Sequence, residues 1–241
     1  IKEEVVGSPG RFALATTIER ITVPNDLLVK LADKSSWARR GIAVFNAPYS
    51  NSRSVVELAI GYIIALFRRL GDKNREMHEG KWDKSAKGSH EIRGKTLGII
   101  GYGNIGSQLG VAAEALGMNV FFYDLVDKPA IGNAHRAESF EDLLSSSDVI
   151  SLHIDGRASN RVFMGKHEFS LMKPEAVVIN LSRGSVIDVD ALEEALREKK
   201  VAGAALDVYP EEPKESPSHF SFKLQNLPNV ILTPHIGGST S

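Results

Sequence analysis

From Thr96 onward the chain alternates short runs of β-branched and other apolar residues with longer amphipathic stretches, the pattern of βαβ units and a parallel sheet. Six runs predict strands: Thr96–Ile100, Asn119–Tyr123, Val149–His153, Ala176–Leu181, Ala202–Leu206 and Val230–Thr233. Nearly continuous apolarity of this kind marks strands buried on both faces. Between the first two, Ile105, Leu109, Ala112, Ala113 and Leu116 recur at helical spacing, and Gly117 stands where a C-terminal cap belongs. Ser139 and Asp190 each precede an acid by three residues and open further apolar periodicity, which predicts two more helix starts. Upstream, Arg53 to Leu70 predicts a helix packed on the sheet, with Val56, Ile60, Ile63, Ile64 and Phe67 on its apolar face. The last crossover, Val208 to Asn229, holds Pro210, Pro213, Pro217 and Pro228, which exclude a long regular helix. A loop of that length in a compact domain usually serves function. The expected fold is α/β, a doubly wound (Rossmann-like) parallel sheet of about six strands over residues 46–241. Residues 1–40 show only patchy periodicity, and residues 1–45 are expected to be an incomplete fragment of a second, substrate-binding domain.

Composition narrows the class. The 241 residues are 42% hydrophobic and 24% charged, the balance of a globular protein and far from disordered, collagen-like or coiled-coil chains. A formal net charge of −1 supplies no field toward nucleic acid or an anionic membrane. The absence of Cys removes disulfides, thiolate zinc sites and cysteine nucleophiles, and agrees with a cytoplasmic protein. The longest apolar stretch, Leu58–Phe67, is ten residues with Gly61 inside it, whereas a membrane span needs about 20. The opening Ile1-Lys2-Glu3-Glu4 lacks the features of a secretory signal.

Candidate chemistry gathers at the predicted strand ends. Gly101-Tyr102-Gly103-Asn104-Ile105-Gly106 follows a strand and opens a helix. In that context the first Gly permits the turn, the second admits a pyrophosphate to the backbone, and the third packs helix on strand. Asp124 ends the second strand 23 residues after Gly101, where a carboxylate accepts from the ribose hydroxyls of NAD and repels the 2′-phosphate of NADP. A strand-end turn residue is the plainer account of an Asp there. His153, Ser182-Arg183-Gly184, Asp207 and Thr233-Pro-His235 stand at the other strand ends. Each alone could be a surface residue, but ligands of such sheets bind beyond those ends. His235 suits an acid/base that exchanges a proton with a substrate hydroxyl near neutral pH. A carboxylate beside it would hold the ring, and the proline-rich loop supplies Glu211 and Glu212. Arg183 offers a bidentate guanidinium to a substrate carboxylate. His78, His90, His135, His167 and His219 are expected at the surface, and no ligand cluster predicts a metal.

Gly101–Gly106, Asn180-Leu-Ser-Arg-Gly184, Ala205-Leu-Asp-Val-Tyr-Pro-Glu-Glu-Pro213 and Thr233-Pro-His-Ile-Gly-Gly-Ser239 together resemble the D-isomer-specific 2-hydroxyacid dehydrogenase family. The resemblance runs from about Arg40 to Ser241, including Asn46-Ala-Pro-Tyr-Ser-Asn51. It implies an NAD-dependent oxidoreductase acting on a small 2-hydroxy acid or 2-oxo acid, within the family most like enzymes that oxidise 3-phospho-D-glycerate to 3-phosphohydroxypyruvate at the start of serine biosynthesis. Alternatives on the same scaffold are a hydroxypyruvate or D-lactate type enzyme and a non-enzymatic, NAD-sensing corepressor. The resemblance implies that Arg183 binds the carboxylate, that His235 is the acid/base, that Glu212 pairs with it, and that Asn51 joins the substrate site. Tyr102, Asn104, Ile105, His153, Ser182, Asp207 and Gly237 are implied to join the glycines, Asp124 and His235 around NAD. Residues 1–39 do not resemble the family's substrate-binding lobe, and the chain stops before the return helix. Half of the cleft is therefore expected to be missing, as in a truncated chain or in joined pieces of a longer one. The resemblance also suggests a homodimer or homotetramer formed through the sheet domain, with Met77 to Trp82 at the interface. Burial of Trp82 in its own core is an equal alternative.

Overall fold

A computed structural model describes residues 49 and 51–240, apart from Lys214 and Ser216. The expectation for residues 1–45 lies outside the described residues. In chain order the elements are α1 (Ser52–Phe67), α2 (Leu70–His78), β1 (Thr96–Ile100), α3 (Asn104–Ala115), β2 (Asn119–Tyr123), β3 (His135–Arg136), α4 (Phe140–Ser146), β4 (Val149–Leu152), α5 (Lys166–Leu171), β5 (Val177–Asn180), α6 (Val189–Arg197), β6 (Gly203–Leu206) and β7 (Val230–Leu232). The strands form one sheet in the order β3-β2-β1-β4-β5-β6-β7, and every pair is parallel. This is the doubly wound architecture that the apolar runs predict, with seven strands in place of about six. The added strand is β3, two exposed residues at the sheet edge, too short to leave a periodic signal.

Helices cover both faces because the central strands bury both. Val55, Val56, Ala59, Tyr62 and Ile63 of α1 and Leu109 and Ala113 of α3 share one core with Leu97, Ile99, Val149, Val177, Ile179 and Ala205. The alternate residues Ile100, Ile150, Leu152, Val178, Ala204 and Leu206 meet α4, α5 and α6 on the other side. α1 rotates its face relative to the expected one: Tyr62 and Leu66 are buried while Ile64 is exposed. It ends at Phe67, and Arg69, in left-handed conformation at φ 51°, starts α2, a polar helix that apolar periodicity does not reveal. Asp72 anchors α2 by accepting from the backbone N–H of Asn229 at 2.9 Å, just ahead of β7.

Ser139 caps α4, its hydroxyl accepting from the Asp142 N–H at 3.0 Å. The cap of α6 is Asp188 rather than Asp190. Its carboxylate accepts from the Asp190 and Ala191 N–H groups at 3.0 and 3.1 Å, and the helix begins two residues earlier than expected. Gly117, at φ 82°, closes α3. Among the described residues between β6 and β7 there is no helix. Among the described residues no helix is long and apolar enough to cross a membrane.

Candidate active site

β1 and β4 are neighbours, and successive units leave them in opposite directions, so the crevice of the sheet opens at their C-terminal ends. Gly101 turns there at φ 92°, and a Cβ on it would stand 2.7 Å from the His153 carbonyl oxygen. Gly106 packs so closely on the Gly101 carbonyl that a side chain would overlap it. At Gly103, by contrast, a Cβ would meet nothing within 4 Å. Asn104 and Ile105 begin α3, whose N-terminus has no side-chain cap. Open space over an uncapped helix N-terminus fits a dinucleotide pyrophosphate.

Tyr102 is buried and stacks on Phe122 with ring centroids 3.9 Å apart. Its N–H donates to Asp124 Oδ2 at 2.9 Å, and Asp124 Oδ1 accepts from the Val126 N–H at 3.0 Å. The carboxylate at the predicted ribose position thus also fixes the glycine loop. At the end of β4, burial pushes the His153 imidazole down to about 4, so the ring stays neutral at physiological pH. Its Nε2 lies 2.8 Å from Ser151 Oγ, and its Nδ1 is buried without a protein partner.

The ends of β5, β6 and β7 bring the other candidates together. Asn180, 1% exposed, shapes the turn after β5. Its Oδ1 accepts from the Ser182 N–H and hydroxyl at 3.0 and 2.8 Å, and its Nδ2 donates to the Arg183 carbonyl at 2.9 Å. The Ser182 hydroxyl is therefore directed to Asn180. Arg183 donates to the Ser182 carbonyl, and burial lowers the affinity of its guanidinium for the proton while the charge of Glu212 opposes that fall. At Gly184 a Cβ would overlap the Tyr209 carbonyl and the Pro210 nitrogen, so only glycine lets the proline-rich loop lie against the Arg183 turn.

That loop places Glu212, not Glu211, on the imidazole: Glu212 Oε2 lies 2.8 Å from His235 Nδ1, and its Oε1 accepts from the Tyr209 N–H at 3.1 Å. His235 has left-handed backbone, φ 54°, and half-exposes its side chain. Asp207 is 2% exposed and holds the His235 loop from beneath. It accepts from Thr233 Oγ1 at 2.5 Å, from the Ile236 N–H at 2.9 Å and from the Gly237 N–H at 2.7 Å. Asn51, at the N-terminus of α1, approaches the same loop, with its Nδ2 2.9 Å from where a Gly238 Cβ would stand.

Arg183, Glu212, His235 and Asn51 thus lie around one set of loops, while the glycine turn, Asp124 and His153 line the adjoining crevice. Ser182 and Asp207, expected to touch the cofactor, hydrogen-bond to the protein itself. Sequence reasoning gave Asn180, Tyr209 and Thr233 no role of their own beyond their place in motifs, and passed over Tyr62. The signal available for Asn180 was a polar group inside an otherwise apolar strand. His78, His90, His135, His167 and His219 are exposed. Among the described residues no three His, Asp or Glu side chains gather as a metal site.

Residues 60–237 match the family model of the D-isomer specific 2-hydroxyacid dehydrogenase NAD binding domain. Residues 1–60 match a second model, dCTP deaminase-like. The chain is 52% identical over 209 residues to D-3-phosphoglycerate dehydrogenase of Haemophilus influenzae, covering 87% of this chain and 51% of that protein. It is 53% identical to the Escherichia coli protein of the same name, covering 86% of this chain and 51% of that one. The chain therefore spans about half the length of the curated relatives it matches. Among solved structures, D-lactate dehydrogenase with NAD+ from Lactobacillus jensenii superposes with a TM-score of 0.75 at 33% identity, over 81% of this chain and 62% of that one. A glyoxylate reductase from Paecilomyes thermophila gives 0.74 at 36% identity, over 84% and 61%.

Proposed function

Because the chain belongs to the D-isomer specific 2-hydroxyacid dehydrogenase family, we propose that its protein oxidises 3-phospho-D-glycerate to 3-phosphohydroxypyruvate, the opening step of serine biosynthesis. The observation that carries the reaction is the His235–Glu212 pair, 2.8 Å apart, beside the half-buried guanidinium of Arg183. The choice of substrate rests on relatives about half identical that bear the name D-3-phosphoglycerate dehydrogenase. NAD is the cofactor; when bound, it accepts a hydride from the carbon that carries the hydroxyl.

Arg183 holds the substrate carboxylate through two parallel hydrogen bonds and polarises the 2-oxo group. Asn51 borders the substrate. His235 receives the hydroxyl proton at Nε2, since Nδ1 is committed to Glu212. The Glu212 carboxylate stabilises the charge the ring then gains. Gly101, Tyr102, Gly103, Asn104, Ile105 and Gly106 receive the pyrophosphate, and Asp124 the ribose hydroxyls. His153, Ser182, Asp207 and Gly237 support the nicotinamide side.

The NAD-binding unit extends over residues 46–241, in keeping with a compact unit that begins at Pro48. Trp82 (73% exposed), Met77 (51%) and Leu70 (49%) are exposed apolar side chains that suit a homodimer contact. Steady-state reduction of phosphorylated and unphosphorylated 2-oxo acids by the full-length protein with NADH tests the substrate. The reading expects preference for 3-phosphohydroxypyruvate. Pyruvate or unphosphorylated hydroxypyruvate reduced equally well would overturn it in favour of the lactate or hydroxypyruvate type.

A further inference from the structure

The His235 loop is tied to a helix that begins the described chain. The Tyr62 hydroxyl of α1 meets Thr233 Oγ1 across 171 residues of sequence. Thr233 has one hydroxyl proton and gives it to Asp207 Oδ1 at 2.5 Å. Tyr62 must therefore donate, and the series has one direction: Tyr62 to Thr233 to Asp207. Asp207 then holds the Ile236 and Gly237 N–H groups, the two that follow His235. From the opposite side the Tyr209 hydroxyl donates to the Thr233 carbonyl at 2.9 Å. Tyr62 is 5% and Asp207 2% exposed, and burial pushes the Tyr62 hydroxyl up to about 12, so it keeps its proton at any working pH.

We infer that Tyr62 is a positioning residue for the reaction: through Thr233 and Asp207 it fixes the left-handed backbone that presents His235 to Glu212. A histidine at φ 54° occupies a sparsely populated region that persists only where its surroundings over-determine it. Here three neutral donors to one buried carboxylate do so, and one of them, the Thr233 hydroxyl, is itself oriented by Tyr62. Without the Tyr62 hydroxyl, Thr233 is free to rotate, and Asp207 can follow it away from the two loop amides.

The inference rests on the reaction proposed above, and its test separates the two. In the full-length protein, Tyr62→Phe removes one oxygen and keeps the ring in the core. We expect kcat to fall about tenfold, the equivalent of about 1.4 kcal/mol, with a smaller rise in the Kd for NADH. Hydrogen exchange at the Ile236 and Gly237 amides should speed up by a similar factor while exchange in β1 stays constant. Thr233→Ser should keep both properties, and Tyr62→Phe combined with Thr233→Val should be no worse than Thr233→Val alone, since both break the same series. Unchanged exchange at Ile236 and Gly237 in Tyr62→Phe overturns the inference, as does accelerated exchange with unaltered kcat. Independent, multiplying losses in the double variant would overturn it too. A wild-type protein that reduces no 2-oxo acid sinks the proposed reaction and leaves the exchange rates to decide the anchor.

Discussion

The two sides of the crevice are built by different means. The cofactor side, from β1 through α3 to β2, is shaped by what is missing: no Cβ at Gly101, where φ is positive, none at Gly106, where helix meets strand, and open space at Gly103. The chemical side, at the ends of β5, β6 and β7, is shaped by buried polar anchors. Asn180 holds the Arg183 turn, Asp207 holds the His235 loop, and Tyr209 holds both Glu212 and Thr233. The glycines act by excluding side chains, whereas the anchors act by hydrogen bonds, some as local as Asn180 to Arg183 and others as distant as Asp207 to Gly237. Damage should therefore separate in kind, with cofactor affinity lost on one side and turnover or folding on the other.

The largest expected break is His235→Ala, which should lower turnover by about 10²–10⁴, the usual worth of a placed acid/base, while NADH binding followed by fluorescence barely changes. Loss of NADH binding in parallel would erase the distinction between the sides. A matched pair of glycines comes next. Gly184→Ala drives a methyl into the Tyr209 carbonyl and should cost about 3 kcal/mol or more in urea unfolding, toward the upper end for overpacking. Gly103→Ala has free space and should leave unfolding unchanged while weakening NAD binding. Equal stabilities for the two variants would contradict the close approach.

His153 sharpens the comparison through pH. Folding depresses its imidazole from 6.5 to about 4. Between those values the unfolded chain binds the proton and the folded one does not, so stability rises with pH. The contribution is complete above about pH 6.5 and is lost as the pH falls toward 4, at about 1.4 kcal/mol per pH unit at most. His153→Gln should flatten that part of the stability profile, measured by urea unfolding at pH 7 and 4.5. An identical slope in the variant would mean the ring is hydrated. The smallest effect is expected at Asp124, where Ala should reduce preference for NAD over NADP by about tenfold, as loss of one charge-assisted hydrogen bond predicts. Equal affinities in the unaltered protein would remove Asp124 from the ribose.

Local signals made most of the sheet legible. Six apolar runs fall on strands, and Gly117 and Ser139 end or begin helices where their chemistry requires. What escaped had no local signature. β3 is two residues long, α2 is a polar helix held by Asp72, and the α6 cap was misplaced because Asp188 and Asp190 both offer plausible carboxylates. In the site, residue types at strand ends marked Arg183, Asp207 and His235, while both Glu211 and Glu212 stayed open until the family resemblance pointed to Glu212. Tyr62 could not be read this way, because one tyrosine in an apolar helix looks like core until its partner 171 residues away is known.

That separation sets the order in which the protein matures on the ribosome. α1 packs most extensively on α3, made soon after it, and also on β5, β6 and β7, so its cover begins early and is completed only when synthesis nears residue 232. At about 5–20 residues per second, the interval between Tyr62 and Thr233 is on the order of 10–30 seconds. Throughout it the glycine turn and its surrounding strands can already fold, because their contacts are comparatively local. The crevice therefore acquires its cofactor half first and its chemistry last. In nascent chains arrested before β7, α1 should stay more open to protease than in the released chain; equal protection would show that α3 and the earlier strands suffice to cover it.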